Sequence, residues 1–351
     1  MSLLLTKVVT YITVDSTKTG VGKYAKDLYI LMKPRSRIVQ FIFDHKYADN
    51  FYKHPYTGYN TPVLNYMFSQ LAFKEGIDLI NKSNDVIHIT SQTMKPIFNN
   101  PNSVITIHDA IAFDKKIYNF TNGIQKIKKF LMKHYLKEYL TYNNIITVSN
   151  HVKNQLTTKL NVKDENISVI PPYISDNFFH LEKENSLLNE LGLPLNKKLI
   201  LSISSNDPRK NLPMVDRVMK NLDDSYQLVR IGSQIGNSIT FNNVDDITIN
   251  KIYNACDVLL FPTLEEGFGY PVVEAFKTGL PVISSDIDII REVANEAALL
   301  VNPEEIKENV EGIFKILDNS EHYIKKGYER AKYYSGDVIK KKLTSYYNSL
   351  K

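Results

Sequence analysis

The chain has 351 residues, 43% of them hydrophobic, which exceeds what one core usually supports and predicts two domains. A single cysteine, Cys256, at the apolar end of a predicted helix, excludes an internal disulfide, and no apolar stretch approaches the roughly twenty residues of a membrane span, so the chain is expected to be cytoplasmic. The net charge of +5 is uneven: 22 Lys and Arg stand against 13 Asp and Glu in residues 1–180, leaving 21 against 25 beyond, so the basic first half suits an anionic acceptor or an anionic membrane face. Nucleic acid is the competing partner for that basic half, but it would need a stripe of Arg and aromatic residues that cannot be traced, and none is expected.

Residues 7–14 predict a first strand, followed by a loop with Gly20 and Gly22 and a helix to about Leu31. Gly20, Gly22 and Ala25 have the spacing of a dinucleotide fingerprint, with Asp44 near where a ribose-binding acid belongs. The turn is too long for that role, since five residues separate the strand from Gly20. As a phosphate loop it fails too: Thr17 replaces the first glycine and Tyr24 the hydroxyl residue that would hold magnesium. A structural turn and a ligand contact both remain open for the two glycines.

Residues 45–75 show no clear period. Residues 85–90 and 103–109 then predict two buried strands, the second ending in His108-Asp109. Ligands of open parallel sheets gather at the carboxyl ends of strands, so His108 and Asp109 are functional candidates, whereas His88 reads as a core histidine with satisfied nitrogens. Residues 123–140 predict an amphipathic helix, with Ile124, Ile127, Leu131 and Tyr135 near one face and Lys126, Lys129, Lys133 and Lys137 on much of the other. This pattern permits peripheral membrane contact, and a solvated helix packed on the sheet explains it as well. Residues 144–149 predict the next strand, with Ser149 or Asn150 as helix cap, and Pro171-Pro172 ends the strand at 167–170 and starts a linker.

The second half opens with a strand at 197–203 and then Asp207-Pro-Arg-Lys-Asn211. Arg209 and Lys210, at a strand's carboxyl end and ahead of a helix, can neutralise a diphosphate, with Lys210 expected to face solvent. Residues 227–232 predict a further strand and a glycine turn. The densest chemistry lies between the strands at 257–261 and 281–285. Glu266 falls in the loop, and Glu274, three residues after Pro271, falls in the first turn of the helix that Pro271 can open. Gly267 and Gly269 bracket Phe268 and leave backbone N–H groups unshielded at that helix N-terminus, a site for phosphate or sugar hydroxyls.

Glu266 and Glu274, with seven residues between them around Gly-Phe-Gly-Tyr-Pro, resemble the paired-glutamate signature of the retaining nucleotide-sugar glycosyltransferases of family 4. Arg209-Lys210-Asn211, Ile107-His108-Asp109 and the Ala297 to Pro303 continuation resemble the same family, over nearly the whole chain and most sharply from 197 to 303. The resemblance implies an α/β chain of two Rossmann-like domains facing a central cleft (GT-B): an acceptor domain at 1–175, a nucleotide-sugar donor domain at 176–335, and a C-terminal helix at 336–351 crossing back to the first domain. It implies hexose transfer with retention from a nucleotide diphosphate sugar, of guanosine-mannose or uridine-glucose type, to a glycan, lipid-linked or other hydroxyl acceptor. Glu266 would lie by the donor sugar and His108 would reach it from the opposite domain. Glu274 would take the ribose hydroxyls. Arg209, Lys210 and the Gly267, Phe268 and Gly269 backbone would hold the diphosphate, with Gly20 and Gly22 facing the cleft. No cofactor and no metal is implied, and no His, Asp or Cys set shows ligand spacing. Ser204 and Ser205 depart from the glycine with arginine or threonine that many relatives carry, which implies fewer diphosphate contacts there. The competing readings are an epimerase or phosphorylase of the same fold, and a nicotinamide oxidoreductase, which leaves Glu266 and Glu274 unexplained.

Overall fold

The structure, a computed structural model, describes residues 7–13, 19–41, 52–54, 86–92, 102–113, 130 and 133–350. The chain divides into two compact units, Met1–Tyr173 with Gly336–Lys351, and Ile174–Ser335.

The first unit contains, among its described residues, strands β1 (Val9–Thr13), β2 (Ser36–Phe41), β3 (Tyr52–His54), β4 (Val86–Ile89), β5 (Ser103–Ile107), β6 (Ile145–Thr147) and β7 (Ile167–Val169). All pair in parallel, in the order β3-β2-β1-β4-β5-β6-β7. β1, β4, β5 and β6 are buried at every residue, including the polar Thr10, His88, Thr106 and Thr147, as a parallel sheet covered on both faces requires.

Helix α1 (Gly20–Leu31) follows β1. Gly20 and Gly22, expected in a loop, are its first and third residues, because Thr19 caps it and its Oγ1 accepts the Gly22 N–H at 3.1 Å. A capping hydroxyl satisfies an amide that the helix start leaves unpaired, so the helix begins earlier than two glycines suggest. Helix α2 (Asn150–Leu160) is capped by Ser149, whose Oγ accepts from the Val152 N–H at 3.2 Å. Residues 133–139 are helical and bury Tyr135, Leu136 and Tyr139, while Ile124, Lys126, Ile127, Lys129, Leu131 and also Asp44 lie outside the described residues.

The C-terminal helix (Gly336–Ser349) belongs to this unit and buries Ile339, Leu343 and Tyr347, one residue per turn. Tyr347 Oη lies 2.6 Å from His88 Nδ1, and Thr106 Oγ1 lies 2.6 Å from His88 Nε2. His88 is thus a core histidine with both ring nitrogens hydrogen-bonded. Burial, and secondarily the neighbouring His108, push its pKa down to about 3.

The second unit holds β8 (Lys198–Ile203), β9 (Tyr226–Ile231), β10 (Ile239–Phe241), β11 (Val258–Phe261), β12 (Val282–Ser285) and β13 (Leu299–Val301), again all parallel. Helices α3 (Leu212–Lys220), α4 (Asp246–Ala255), α5 (Tyr270–Thr278) and α6 (Ile306–Asp318) are its longer connections used below. Met214, Val215 and Val218 of α3 and Ile313 and Ile316 of α6 form one core with Ile200, Val258, Leu260 and Ile283 of the sheet. Each such side chain, fully buried, contributes about 1.5–3 kcal/mol. Gly312 lets α6 approach: a Cβ there would fall on the Ile283 side chain. Cys256 ends α4 and is buried, and burial pushes its thiol pKa far up, so it is inert at neutral pH.

The strand order is β10-β9-β8-β11-β12-β13. From β8 the chain runs outward through β9 and β10, then returns to β11 on the other side of β8. The connections leaving β8 and β11 therefore diverge, and the crevice between their carboxyl ends is where such a sheet receives ligands.

Candidate active site

Both loops at this switch point carry residues singled out by sequence. After β8, Ser204–Asp207 leads into a 3₁₀ turn, Pro208–Lys210, capped by Asp207, whose Oδ1 accepts from the Arg209 N–H at 3.0 Å and from Arg209 Nε at 3.2 Å. Asn211 then takes a left-handed φ of 52° and the chain enters α3. After β11, residues 262–269 form the second loop, which ends at Gly269 with φ of 100° as the cap of α5. A residue with a side chain is strained at that φ, and a Cβ would press on Ile290.

The two loops are stitched together. The Leu264 N–H donates to the Arg209 carbonyl at 2.7 Å, and Arg209 Nη1 reaches the Glu265 carbonyl at 3.5 Å. Lys210 Nζ lies 2.5 Å from Glu266 Oε1, and the Thr263 hydroxyl lies 3.0 Å from the same oxygen. The expectation that Lys210 faces solvent is corrected here: its side chain is 15% exposed and that of Glu266 9%. A buried carboxylate needs a counter-ion, and Lys210 is the cation that the strand order brings to it. Thr263 went unnoticed in the sequence, where its only signal is a hydroxyl directly after Pro262 at the end of β11.

Glu274 is the fifth residue of α5, just past the first turn, because the helix starts at Tyr270 rather than at Pro271. Its carboxylate is buried and accepts from Tyr253 Oη at 2.9 Å. Burial, followed by the Glu274 charge, holds the Tyr253 phenol protonated far above neutral pH, so it stays a donor that fixes the carboxylate. Tyr253, on α4, is a second residue that sequence reasoning missed. The Phe268 ring is buried between Tyr270 and Tyr334, with centroids 5.3 and 5.4 Å away, so this residue offers a ligand its backbone rather than its ring.

The remaining candidates belong to the first unit. His108 follows β5 and is buried, with Nε2 2.8 Å from the Thr90 carbonyl and its ring edge-on to Tyr24. A carbonyl only accepts, so Nε2 carries a proton. The His108 N–H donates to Gln92 Oε1 at 2.6 Å, and Asp109 Oδ1 accepts from the Ile111 N–H at 3.2 Å. Gly20 is exposed and Gly22 buried at the start of α1. Among the described residues no group of three or more His, Cys, Asp or Glu could hold a metal ion, and no helix is long and apolar enough to cross a membrane.

Two family models match the chain: Glycosyltransferase Family 4 over residues 34–178 and Glycosyl transferases group 1 over residues 184–333. The chain belongs to the family 4-type GT-B glycosyltransferases. This glycosyltransferase is 29% identical over 266 residues to the O-antigen chain mannosyltransferase RfbU of Salmonella typhimurium, covering 70% of this chain and 68% of that one. It is 25% identical over 226 residues to the O-antigen chain mannosyltransferase B of Escherichia coli, covering 58% of each. Among solved structures, its fold matches a sucrose-phosphate synthase from Thermosynechococcus elongatus with a TM-score of 0.77 at 17% identity, over 98% and 99% of the two chains. It also matches HepE of Anabaena in complex with UDP-glucose, with a TM-score of 0.74 at 13% identity, over 98% and 100%. In the glycosyltransferase, the dinucleotide reading of Gly20, Gly22 and Ala25 loses its basis, since the glycines lie within α1 rather than in the turn before it.

Proposed function

We propose that this glycosyltransferase moves a hexose from a nucleotide diphosphate sugar to a hydroxyl of a glycan or lipid-linked acceptor, with retention at the anomeric carbon and without a divalent ion. The observation that carries the reading is the Lys210–Glu266 pair at the switch point of the second unit, 2.5 Å apart and largely buried. As the bond from the anomeric carbon to the diphosphate breaks, negative charge grows on the departing phosphate oxygens and the carbon becomes oxocarbenium-like. Catalysis requires cationic and N–H donors on the first and a carboxylate by the second. Lys210 and Arg209 with the Gly267 to Gly269 amides meet the first demand, and Glu266 the second. The donor diphosphate takes over from Glu266 as partner of Lys210, which frees the carboxylate for the sugar. Glu274, held by Tyr253, accepts from the ribose hydroxyls.

The similarity to two O-antigen mannosyltransferases supports mannose as the sugar, and the fold shared with a protein solved in complex with UDP-glucose supports a nucleotide-sugar donor. The test is a donor panel that includes GDP-mannose and UDP-glucose, scored by release of free nucleoside diphosphate, with melting curves in GDP, UDP and NAD alongside. Stabilisation by NAD and by neither diphosphate would reject the reading.

A further inference from the structure

Among the described residues, Arg230 is the largest fully buried side chain. It lies in β9, opposite Ser202 of β8, and its guanidinium points under the end of β8. Its five N–H donors meet five neutral oxygens. Nε reaches the Ser233 carbonyl at 3.2 Å; Nη1 reaches the Ser202 carbonyl at 3.0 Å and Oγ at 3.3 Å; Nη2 reaches the Ser204 carbonyl at 2.8 Å and Oγ at 3.1 Å. No carboxylate is among these partners. Burial alone pulls its pKa down to about 10, which still leaves it charged at neutral pH.

A buried cation balanced only by dipoles is costly, and an apolar side chain of similar volume would serve packing as well. Other cations near the site are matched: Arg209 by Asp207 and Lys210 by Glu266. The fit also constrains the neighbouring chain. Gly232 takes a φ of 129°, and a Cβ there would collide with the Ser204 carbonyl and crowd Arg230 Nη2. Because a trans peptide sets its C=O and N–H in opposite directions, holding the Ser204 carbonyl inward turns the Ser205 N–H away from the guanidinium. Ser205 is exposed, in the loop that leads to Arg209 and Lys210.

We infer that Arg230 is a positioning residue for the donor diphosphate: its buried charge, without a carboxylate partner, awaits the ligand's anion and orients the Ser204–Ser205 peptide toward it. This rests on the proposed nucleotide-sugar reading. It also answers the departure at Ser204 and Ser205, since the positive charge arrives from the adjacent strand instead of from the loop itself. The substrate class is an anion with two linked phosphates, and the nucleoside part is read elsewhere.

The test is calorimetric titration of GDP, UDP and the parent nucleosides into the wild type and three variants, with melting curves for each. R230Q keeps two of the five N–H donors and removes the charge. R230K keeps the charge and removes the fork. S202D sets a carboxylate against the guanidinium without touching Arg230. R230Q and S202D are expected to bind the preferred nucleoside diphosphate at least about tenfold more weakly, the scale of one charge several ångströms away at an effective protein dielectric. Nucleoside affinity should stay unchanged, and R230K should recover part of the diphosphate loss. If R230Q does not fold, S202D decides. Wild-type diphosphate affinity in S202D, or equal affinities in R230Q and R230K, overturns the inference, whereas a wild type that binds neither diphosphate overturns the proposed function beneath it.

Discussion

Lys210 and Glu266, 56 residues apart in sequence, face each other at 2.5 Å across two loops of the second unit. Glu266 Oε1 also lies within reach of the Thr263 hydroxyl, so the carboxylate is held from two sides. The pair is a self-contained counter-ion arrangement, which in the proposed reaction an incoming diphosphate would have to break. On the proposed function, affinity for the donor would be a difference between two ion pairs, and the effect of a substitution would depend on which partner it removes.

Lys210→Met is expected to weaken nucleoside diphosphate binding by about 1.5–3 kcal/mol, or roughly ten- to a hundredfold. It should also lower the melting temperature, because the buried Glu266 carboxylate loses its partner. Adding Glu266→Gln should restore the melting temperature but not the affinity. Titration calorimetry and melting curves on both variants check this, and a single variant with wild-type affinity removes Lys210 from the site.

The two glutamates should fail differently. Glu274, on α5 and fixed by Tyr253, is expected to read the ribose, so Glu274→Gln should weaken every ribonucleotide by about 1–3 kcal/mol, product included. Tyr253→Phe should shift binding in the same direction by less. Glu266→Gln should leave product binding at least as tight, since Lys210 loses a competing anion, and lower turnover, because the proposed contact would strengthen as charge develops at the anomeric carbon. Normal turnover at saturation together with lost product binding in Glu266→Gln would reverse the assignment.

Acid should weaken the first unit through His88, whose pKa falls from 6.5 to about 3 on folding. Between those values the unfolded chain binds one more proton than the native one, so stability drops by about 1.4 kcal/mol for each unit of falling pH. The contribution is complete above 6.5 and fully lost below about 3. Urea titrations at several pH values in this window, on the wild type and His88→Gln, measure the slope. An unchanged slope in the variant would mean that another group carries it.

Turnover in excess EDTA is expected to equal turnover without it, since the cationic side chains Arg209 and Lys210 and the amides at the start of α5 are assigned the work on the diphosphate. Loss of activity with chelator, restored by magnesium or manganese, would show that the diphosphate needs an ion the protein alone does not replace.

What the sequence by itself determined is local. Short runs rich in Val and Ile placed the strands, Ser149 marked a helix start, and the glycines and Pro271 around Phe268 marked a loop feeding a helix, because each depends on the conformational preferences of neighbouring residues. The paired glutamates and the Arg209-Lys210 doublet pointed to a nucleotide-sugar site only through their resemblance to the motifs of family 4, and each of those two motifs is local to its own loop and the helix after it. Helix starts already strained this reading, and Thr19 and Tyr270 each began a helix earlier than the glycines and Pro271 suggested. Only the tertiary structure decided which partners meet. Strand order in a parallel sheet is set by crossover connections and shared burial, not by adjacency in the chain. So the order β9-β8-β11 alone brought Lys210 to Glu266 and set the Arg230 guanidinium beneath Ser204, while the packing of α4 beside α5 set Tyr253 against Glu274.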